Sequence, residues 1–282
     1  MMSSRDQLAV APVPVRIVGH GPVKIIVSHG WIADSTLFDL FIEEIDFNQF
    51  TYAFMDARGY GSRLQDRGPW TIETVADDIL LVADQLEWKQ FHILGHSMGG
   101  MVAQWLMVQA LERIASAVLL APVPASGAKL DAARRTLLLQ AIAEPESRRA
   151  LIDANTGHTR SAAWIERVAQ LSIATTRPDA LEAYMTSWTQ TDFSGVLQVV
   201  QVPVHVIVGE LDPGASLERM QETIMPWYSD ARMEGLAGVG HYPMHESPGE
   251  LSTLLTGHFA RITAPGRPNR SDIADGRRGV VD

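Results

Sequence analysis

Five short stretches of this chain are apolar almost without interruption and end in turn residues: 23–30 (VKIIVSHG), 51–59 (TYAFMDARG), 91–97 (FHILGHS), 116–122 (SAVLLAP) and 202–210 (VPVHVIVGE). A strand with one face in water alternates apolar and polar side chains, whereas a continuous apolar run requires both faces to be covered. Helical patterns separate the runs. The clearest is TIETVADDILLVADQLEW, in which Ile72, Val75, Ala76, Ile79, Val82, Ala83 and Leu86 recur at three- and four-residue steps behind Thr71 as N-cap. Alternating buried strands and helices predict an α/β fold with a mostly parallel central sheet flanked by helices.

The alternation stops between about 123 and 200, where DAARRTLLLQAIA, SAAWIERVAQLSIAT and DALEAYMTSW are helical and no strand is legible. The reading is therefore a core built from 1–122 and 201–263, a helical cap at 123–200 and a tail at 264–282 that is too turn-rich and too weakly apolar to pack. A last strand is expected at 231–236 and a closing helix near 248–262.

The most informative switch of pattern lies at 92–104, HILGHSMGGMVAQ. Apolar strand character ends at Gly95-His96-Ser97-Met98-Gly99, and a helix extends from Met98 to Gln109. A Gly-x-Ser-x-Gly sequence at a strand-to-helix turn forces the serine into a strained backbone conformation, with small residues needed two before and two after it. Read as a plain helix N-cap, Ser97 leaves both glycines unexplained. Raised on such a turn, its hydroxyl stands at a helix N-terminus, where negative charge is favoured.

A serine hydroxyl is a weak nucleophile at neutral pH and needs a histidine base oriented by a carboxylate. His241 lies in the loop LAGVGHYPMHESP after the last strand, and Asp212 in VHVIVGELDPG after the preceding one. Glu210 is the rival acid and His245 the rival base. His241, His245 and Glu246 do not have the spacing of a zinc helix, and Pro243 interrupts one, so no metal is expected. His245 is assigned a structural hydrogen-bonding or capping role near the last helix. His29 and His96, at strand ends, are read as structural. No phosphate loop or dinucleotide fingerprint calls for a cofactor.

In four places, SHGW, MDARGYGSR, GHSMGG and GELD followed by GVGHYPMHE, the sequence resembles the α/β-hydrolase superfamily, in its cap-bearing esterase, lactonase and carbon-carbon hydrolase branch. The resemblance covers roughly 20–262 in the order of its elements. It implies Ser97, Asp212 and His241 as catalytic triad in the family's chain order, with the family's usual acid aligning with Asp212. It also implies the backbone N–H groups of Trp31 and Met98 as oxyanion hole, and structural roles for Asp56 and Arg58. Trp164, Tyr184, Met185 and Trp188 are candidate pocket residues beneath the cap.

The implied activity is hydrolysis of an ester or lactone of a small to medium, largely apolar substrate through an acyl-enzyme on Ser97. Hydrolysis of a carbon-carbon bond in a ring-cleavage product, cofactor-free dioxygenase or perhydrolase chemistry, and a hydrolase-derived receptor remain alternatives. Partners are limited by composition: a net charge of −10 without a basic block disfavours nucleic acid and anionic membranes. No apolar stretch of about 18 residues spans a bilayer, no secretory signal is read at the start, and cysteine is absent, so a cytoplasmic protein is expected. The oligomeric state is not legible.

Overall fold

In the computed structural model, which describes residues 11–197, 200 and 202–263, the apolar runs pair edge to edge into one seven-stranded sheet. The strands are β1 Val15–Gly19, β2 Val23–Ser28, β3 Phe50–Met55, β4 Phe91–His96, β5 Ile114–Leu120, β6 Val204–Gly209 and β7 Ala231–Leu236. Their order is β1-β3-β2-β4-β5-β6-β7, parallel except for β1 against β3. Ile25, Ile26, Ile93, Leu94, Val118, Leu119, Val206 and Ile207 are all buried, as strands covered on both faces demand. Each such side chain contributes about 1.5–3 kcal/mol relative to exposure, an upper bound set by an extended unfolded chain.

β1 departs from the sequence expectation, which contains no strand before residue 23. VRIVG has one neighbour, β3, and a half-exposed face, so it lacks the continuous apolar signature of the inner strands.

The helices are α1 Ile72–Gln85, α2 Met98–Gln109, α3 Ala132–Ala143, α4 Pro145–Asn155, α5 Ala162–Thr175, α6 Pro178–Gln190 and α7 Pro248–Thr263, with shorter turns between them. Thr71 caps α1, its hydroxyl accepting the Thr74 N–H at 3.3 Å. Helices α3 to α6 all fall between β5 and β6, in the stretch where the sequence shows no strand. The tail at 264–282 lies outside the described residues.

Register decides where chemistry can occur. Ser28 of β2 pairs with Gly95 of β4, His96 with Leu120 of β5, Leu120 with Ile207 of β6, and Gly209 with Leu236 of β7. The carboxyl ends of these strands therefore lie along one edge. The chain leaves β2 toward β3 on one side and returns to β4 on the other, so the loops after β2 and β4 part at this edge. Open α/β sheets bind ligands in the crevice at such a reversal.

Candidate active site

At the end of β4 the chain turns into α2 through Ser97, which adopts φ 54° and ψ −113°. A non-glycine residue held there stores about 1–3 kcal/mol of strain. Three hydrogen bonds hold it: Ser97 N–H donates to Leu120 O at 2.9 Å, and its carbonyl accepts from Gly100 N at 2.9 Å and Val123 N at 3.0 Å. A Cβ on Gly95 would lie 2.1 Å from Gly99 O, and one on Gly99 2.3 Å from Ser28 O. Both glycines are thus required by backbone-to-backbone approach.

Asp212 is buried in the turn after β6, with Oδ1 accepting the Gly214 N–H at 2.7 Å. Its Oδ2 lies 2.6 Å from His241 Nδ1, and His241 Nε2 lies 3.0 Å from Ser97 Oγ. Because a carboxylate only accepts, Nδ1 carries the proton and Nε2 accepts from the serine hydroxyl. Glu210, the rival acid, is exposed at the strand end.

The loop bearing His241 is built with three consecutive donors satisfied. Gly240 N–H donates to Glu246 Oε2 at 3.0 Å, His241 N–H to Asn155 O at 2.8 Å, and Tyr242 N–H to Glu246 Oε1 at 2.9 Å. The Glu246 side chain is buried and also pairs with Arg160 at 3.0 Å. Sequence reasoning weighed Glu246 only as a metal ligand and did not single out Asn155. The one available signal for Glu246 was its place four residues beyond Tyr242, where a carboxylate at the end of one helical turn reaches back to the preceding N–H groups.

Across the crevice, Trp31 follows β2. Its carbonyl accepts from Tyr60 Oη at 2.7 Å and its indole N–H donates to Leu181 O at 2.7 Å, which fixes the peptide from both sides. The N–H groups of Trp31 and Met98 have no acceptor among the described residues. Gly30 lets this loop close on the serine, since a Cβ there would stand 2.6 Å from His96 Nδ1 and 3.2 Å from Ser97 Cβ. His29 Nε2 accepts the Ala57 N–H at 3.0 Å, so its Nδ1 donates to Gly30 O at 2.7 Å. His96 donates from Nε2 to His241 O at 2.8 Å, and burial holds its pKa well below the ordinary value. Both imidazoles thereby brace the loops that carry the site. Asp56 accepts from Ser35 N at 2.9 Å and Ser62 N at 2.8 Å, and Arg58 makes a two-pronged pair with Asp78.

Ser97 and His241 open onto a cavity of about 280 Å³. Its apolar wall includes Trp31, Leu37, Leu138, Leu151 and Trp188, so helices α3, α4 and α6 close it from above the strand ends. Three of the expected pocket residues are not in this wall. Tyr184 is fully buried with its ring 5.6 Å from Tyr60, and Trp164 packs behind the wall against Tyr242 and His245. Met185, a turn before the end of α6, is buried outside the wall as well. Helical spacing identified the inward faces of α5 and α6, but α5 contributes no residue to the cavity and the face of α6 is shared between cavity and core. His245, expected to cap or hydrogen-bond near the last helix, leaves its Nδ1 without a partner among the described residues, and its ring packs edge-on against Trp164. No cluster of three or more His, Asp or Glu side chains forms a metal cage among the described residues.

Residues 25–254 match the family model described as alpha/beta hydrolase family. The chain belongs to this family. It is 25% identical over 254 residues to a pimeloyl-[acyl-carrier protein] methyl ester esterase of Nitrosomonas europaea, covering 85% of this chain and 96% of that one. It is 29% identical over 170 residues to 3-oxoadipate enol-lactonase 2 of Acinetobacter baylyi, 56% of this chain and 60% of the lactonase. With the human serine hydrolase-like protein it shares 32% identity over 102 residues, 36% of this chain, and the match spans only 49% of that relative's length. Among solved structures, a hydrolase from Oleispira antarctica superposes with a TM-score of 0.78 at 20% identity, over 89% of this chain and 95% of that one. These likenesses establish an α/β-hydrolase with esterase and lactonase relatives. Among the described residues no helix is long and apolar enough to cross a membrane.

Proposed function

We propose that this α/β-hydrolase cleaves a carboxylic ester or lactone through an acyl-enzyme on Ser97. The observation that carries the reading is the unbroken relay from Asp212 Oδ2 through His241 to Ser97 Oγ, with contacts of 2.6 and 3.0 Å, opening on an apolar cavity. His241 Nε2 takes the serine proton as Oγ attacks the carbonyl carbon, then returns it to the leaving alkoxide. Water, deprotonated by the same imidazole, attacks the acyl-enzyme, and Ser97 leaves with the proton.

Asp212 stabilises the imidazolium and fixes the tautomer. The Trp31 and Met98 N–H groups receive the oxyanion, each worth about 3 kcal/mol to the tetrahedral intermediate. Helices α3 to α6 act as the cap. Esterase and lactonase relatives support this choice of bond over carbon-carbon cleavage.

Steady-state turnover of p-nitrophenyl butyrate by the wild type and by Ser97→Ala tests the proposal. The expected result is multiple turnovers by the wild type and a loss of at least about a thousandfold in the variant. A single slow turnover would indicate a receptor, and turnover of a coloured dienoate without ester hydrolysis would indicate a carbon-carbon hydrolase. Either outcome would overturn the reading.

A further inference from the structure

The cavity mouth carries a charge pattern opposite to that of the chain. Lys129, Arg134 and Arg219 line it, against Asp131, in a protein of net charge −10. Asp131 caps α3, its Oδ1 accepting the Arg134 backbone N–H at 2.7 Å. None of the three cations makes an ion pair among the described residues. Arg58, Arg63, Arg113, Arg149, Arg160 and Arg177, by contrast, each hold a carboxylate. Lys129 interacts with Asp192 across a gap longer than an ion pair.

Arg134 is also positioned rather than loose. It projects from the first turn of α3, and its Nη2 donates to Asn155 Oδ1, while Asn155 Nδ2 donates to Tyr242 Oη at 2.8 Å. The same Asn155 accepts the His241 N–H through its backbone carbonyl, so the guanidinium is tied to the loop that bears the base. Arg219, on the short helix Leu217–Thr223, reaches Lys129 O at 3.4 Å and closes the group. A half-buried guanidinium that keeps donors uncommitted beside an apolar cavity is built to receive a planar anion in two-pronged geometry.

We infer that the substrate is amphipathic, its apolar body lying against Trp31, Leu138 and Leu151 and a carboxylate at its far end held by Arg134 with Lys129 and Arg219 as supporting charge. This rests on the esterase or lactonase reading and narrows its substrate class to carboxylate-bearing esters or lactones. The carboxylate can belong to the acyl half or to the alcohol half, and the two are separable by substrate.

The test compares kcat/KM within two matched pairs: mono-p-nitrophenyl glutarate against p-nitrophenyl pentanoate, and 4-(carboxymethyl)phenyl butyrate against 4-ethylphenyl butyrate. The charged member of one pair is expected to be favoured roughly tenfold to a hundredfold, the range of a charge-assisted contact. Arg134→Gln should bring that ratio to within a few fold of one, Arg134→Lys should restore part of it, and Arg135→Gln, exposed on the same helix outside the cavity wall, should leave it intact. Calorimetry with glutarate and with 4-hydroxyphenylacetate on Ser97→Ala, with and without Arg134→Gln, reads the same site without turnover.

Turnover of the neutral esters with no charge preference in either pair would overturn this inference and leave the hydrolase reading standing. Binding of an anion that depends on Arg134 without turnover of any ester would overturn the hydrolase reading and leave the anion site. Absence of both would overturn both.

Discussion

Removing the Glu246 carboxylate tests whether the base is held by its loop or merely happens to face the serine. Glu246→Ala leaves Gly240 N–H and Tyr242 N–H, on either side of His241, without acceptors and separates Arg160 from its partner. Each unsatisfied donor costs about 1–3 kcal/mol when water cannot reach it. The loop opens to solvent at one end, so the lower part of that range applies, and the total is about 3 kcal/mol. For a chain of this size that corresponds to a fall of about 5 °C in melting temperature.

The catalytic effect comes from geometry. A displacement of His241 by about 1 Å costs on the order of a hundredfold, so kcat for p-nitrophenyl butyrate should fall tenfold to a hundredfold. Fluorophosphonate labelling of Ser97 should slow in parallel, a readout that loss of stability alone would not produce below the melting range. Glu246→Gln should remain defective, because one amide oxygen can serve one N–H while the amide NH2 confronts the other. Wild-type kcat and melting temperature in Glu246→Ala would refute the assignment of Glu246 as a positioning residue.

Other perturbations follow from the same contacts. Asp212→Asn should retain the fold while kcat falls about a thousandfold to ten-thousandfold, because the amide favours the wrong tautomer of His241; a loss below tenfold would remove Asp212 from the relay. Gly95→Ala places a Cβ 2.1 Å from Gly99 O, and chemical denaturation should show a loss of at least about 3 kcal/mol or no folded protein; a stable, active variant would contradict the turn geometry.

Acid should destabilise the fold through imidazoles remote from the site. His92, His205 and His258 are buried, and burial is the main cause that lowers their pKa values to about 4, 3 and 2. Near pH 5 all three are neutral when folded, whereas their unfolded counterparts, titrating near 6.5, are protonated. The unfolded state then binds more protons, so stability falls as pH drops below about 6.5. From pH 7 to 5 the loss is about 2 kcal/mol per imidazole, an upper bound of about 6 kcal/mol for the three. Urea titrations at the two pH values should show it, and a stability unchanged over that interval would contradict these assignments.

The inner strands and the serine turn were legible because each is dictated by local physics: double-faced burial demands continuous apolar runs, and a backbone crossing at the turn demands glycine at 95 and 99. Asp212 and His241 could be named from sequence because each stands in a turn after one of the last two strands, in the chain order that the family resemblance implies; register then brings the carboxyl ends of β6 and β7 to the edge where β4 ends. What was missed depends on tertiary placement. β1 lies at the sheet edge and carries a mixed pattern. Asn155 acts through its carbonyl, which no side-chain pattern reveals. Trp188 reaches the cavity and Tyr184, one helical turn earlier, does not, a distinction set by how α6 sits on the Trp31 loop. The cations at the mouth come from two segments, one entering α3 and one after β6, and cluster only once the chain between β5 and β6 has folded over the sheet.

The relay ending at Ser97 is tested most directly by stoichiometric reaction with a fluorophosphonate, followed by peptide mapping, in the wild type, Ser97→Ala and His241→Ala. The account predicts one phosphonyl group per chain on the peptide containing Ser97, none in Ser97→Ala, and a rate slowed by orders of magnitude in His241→Ala. Labelling of a different residue, or a rate at Ser97 indifferent to His241, would contradict it.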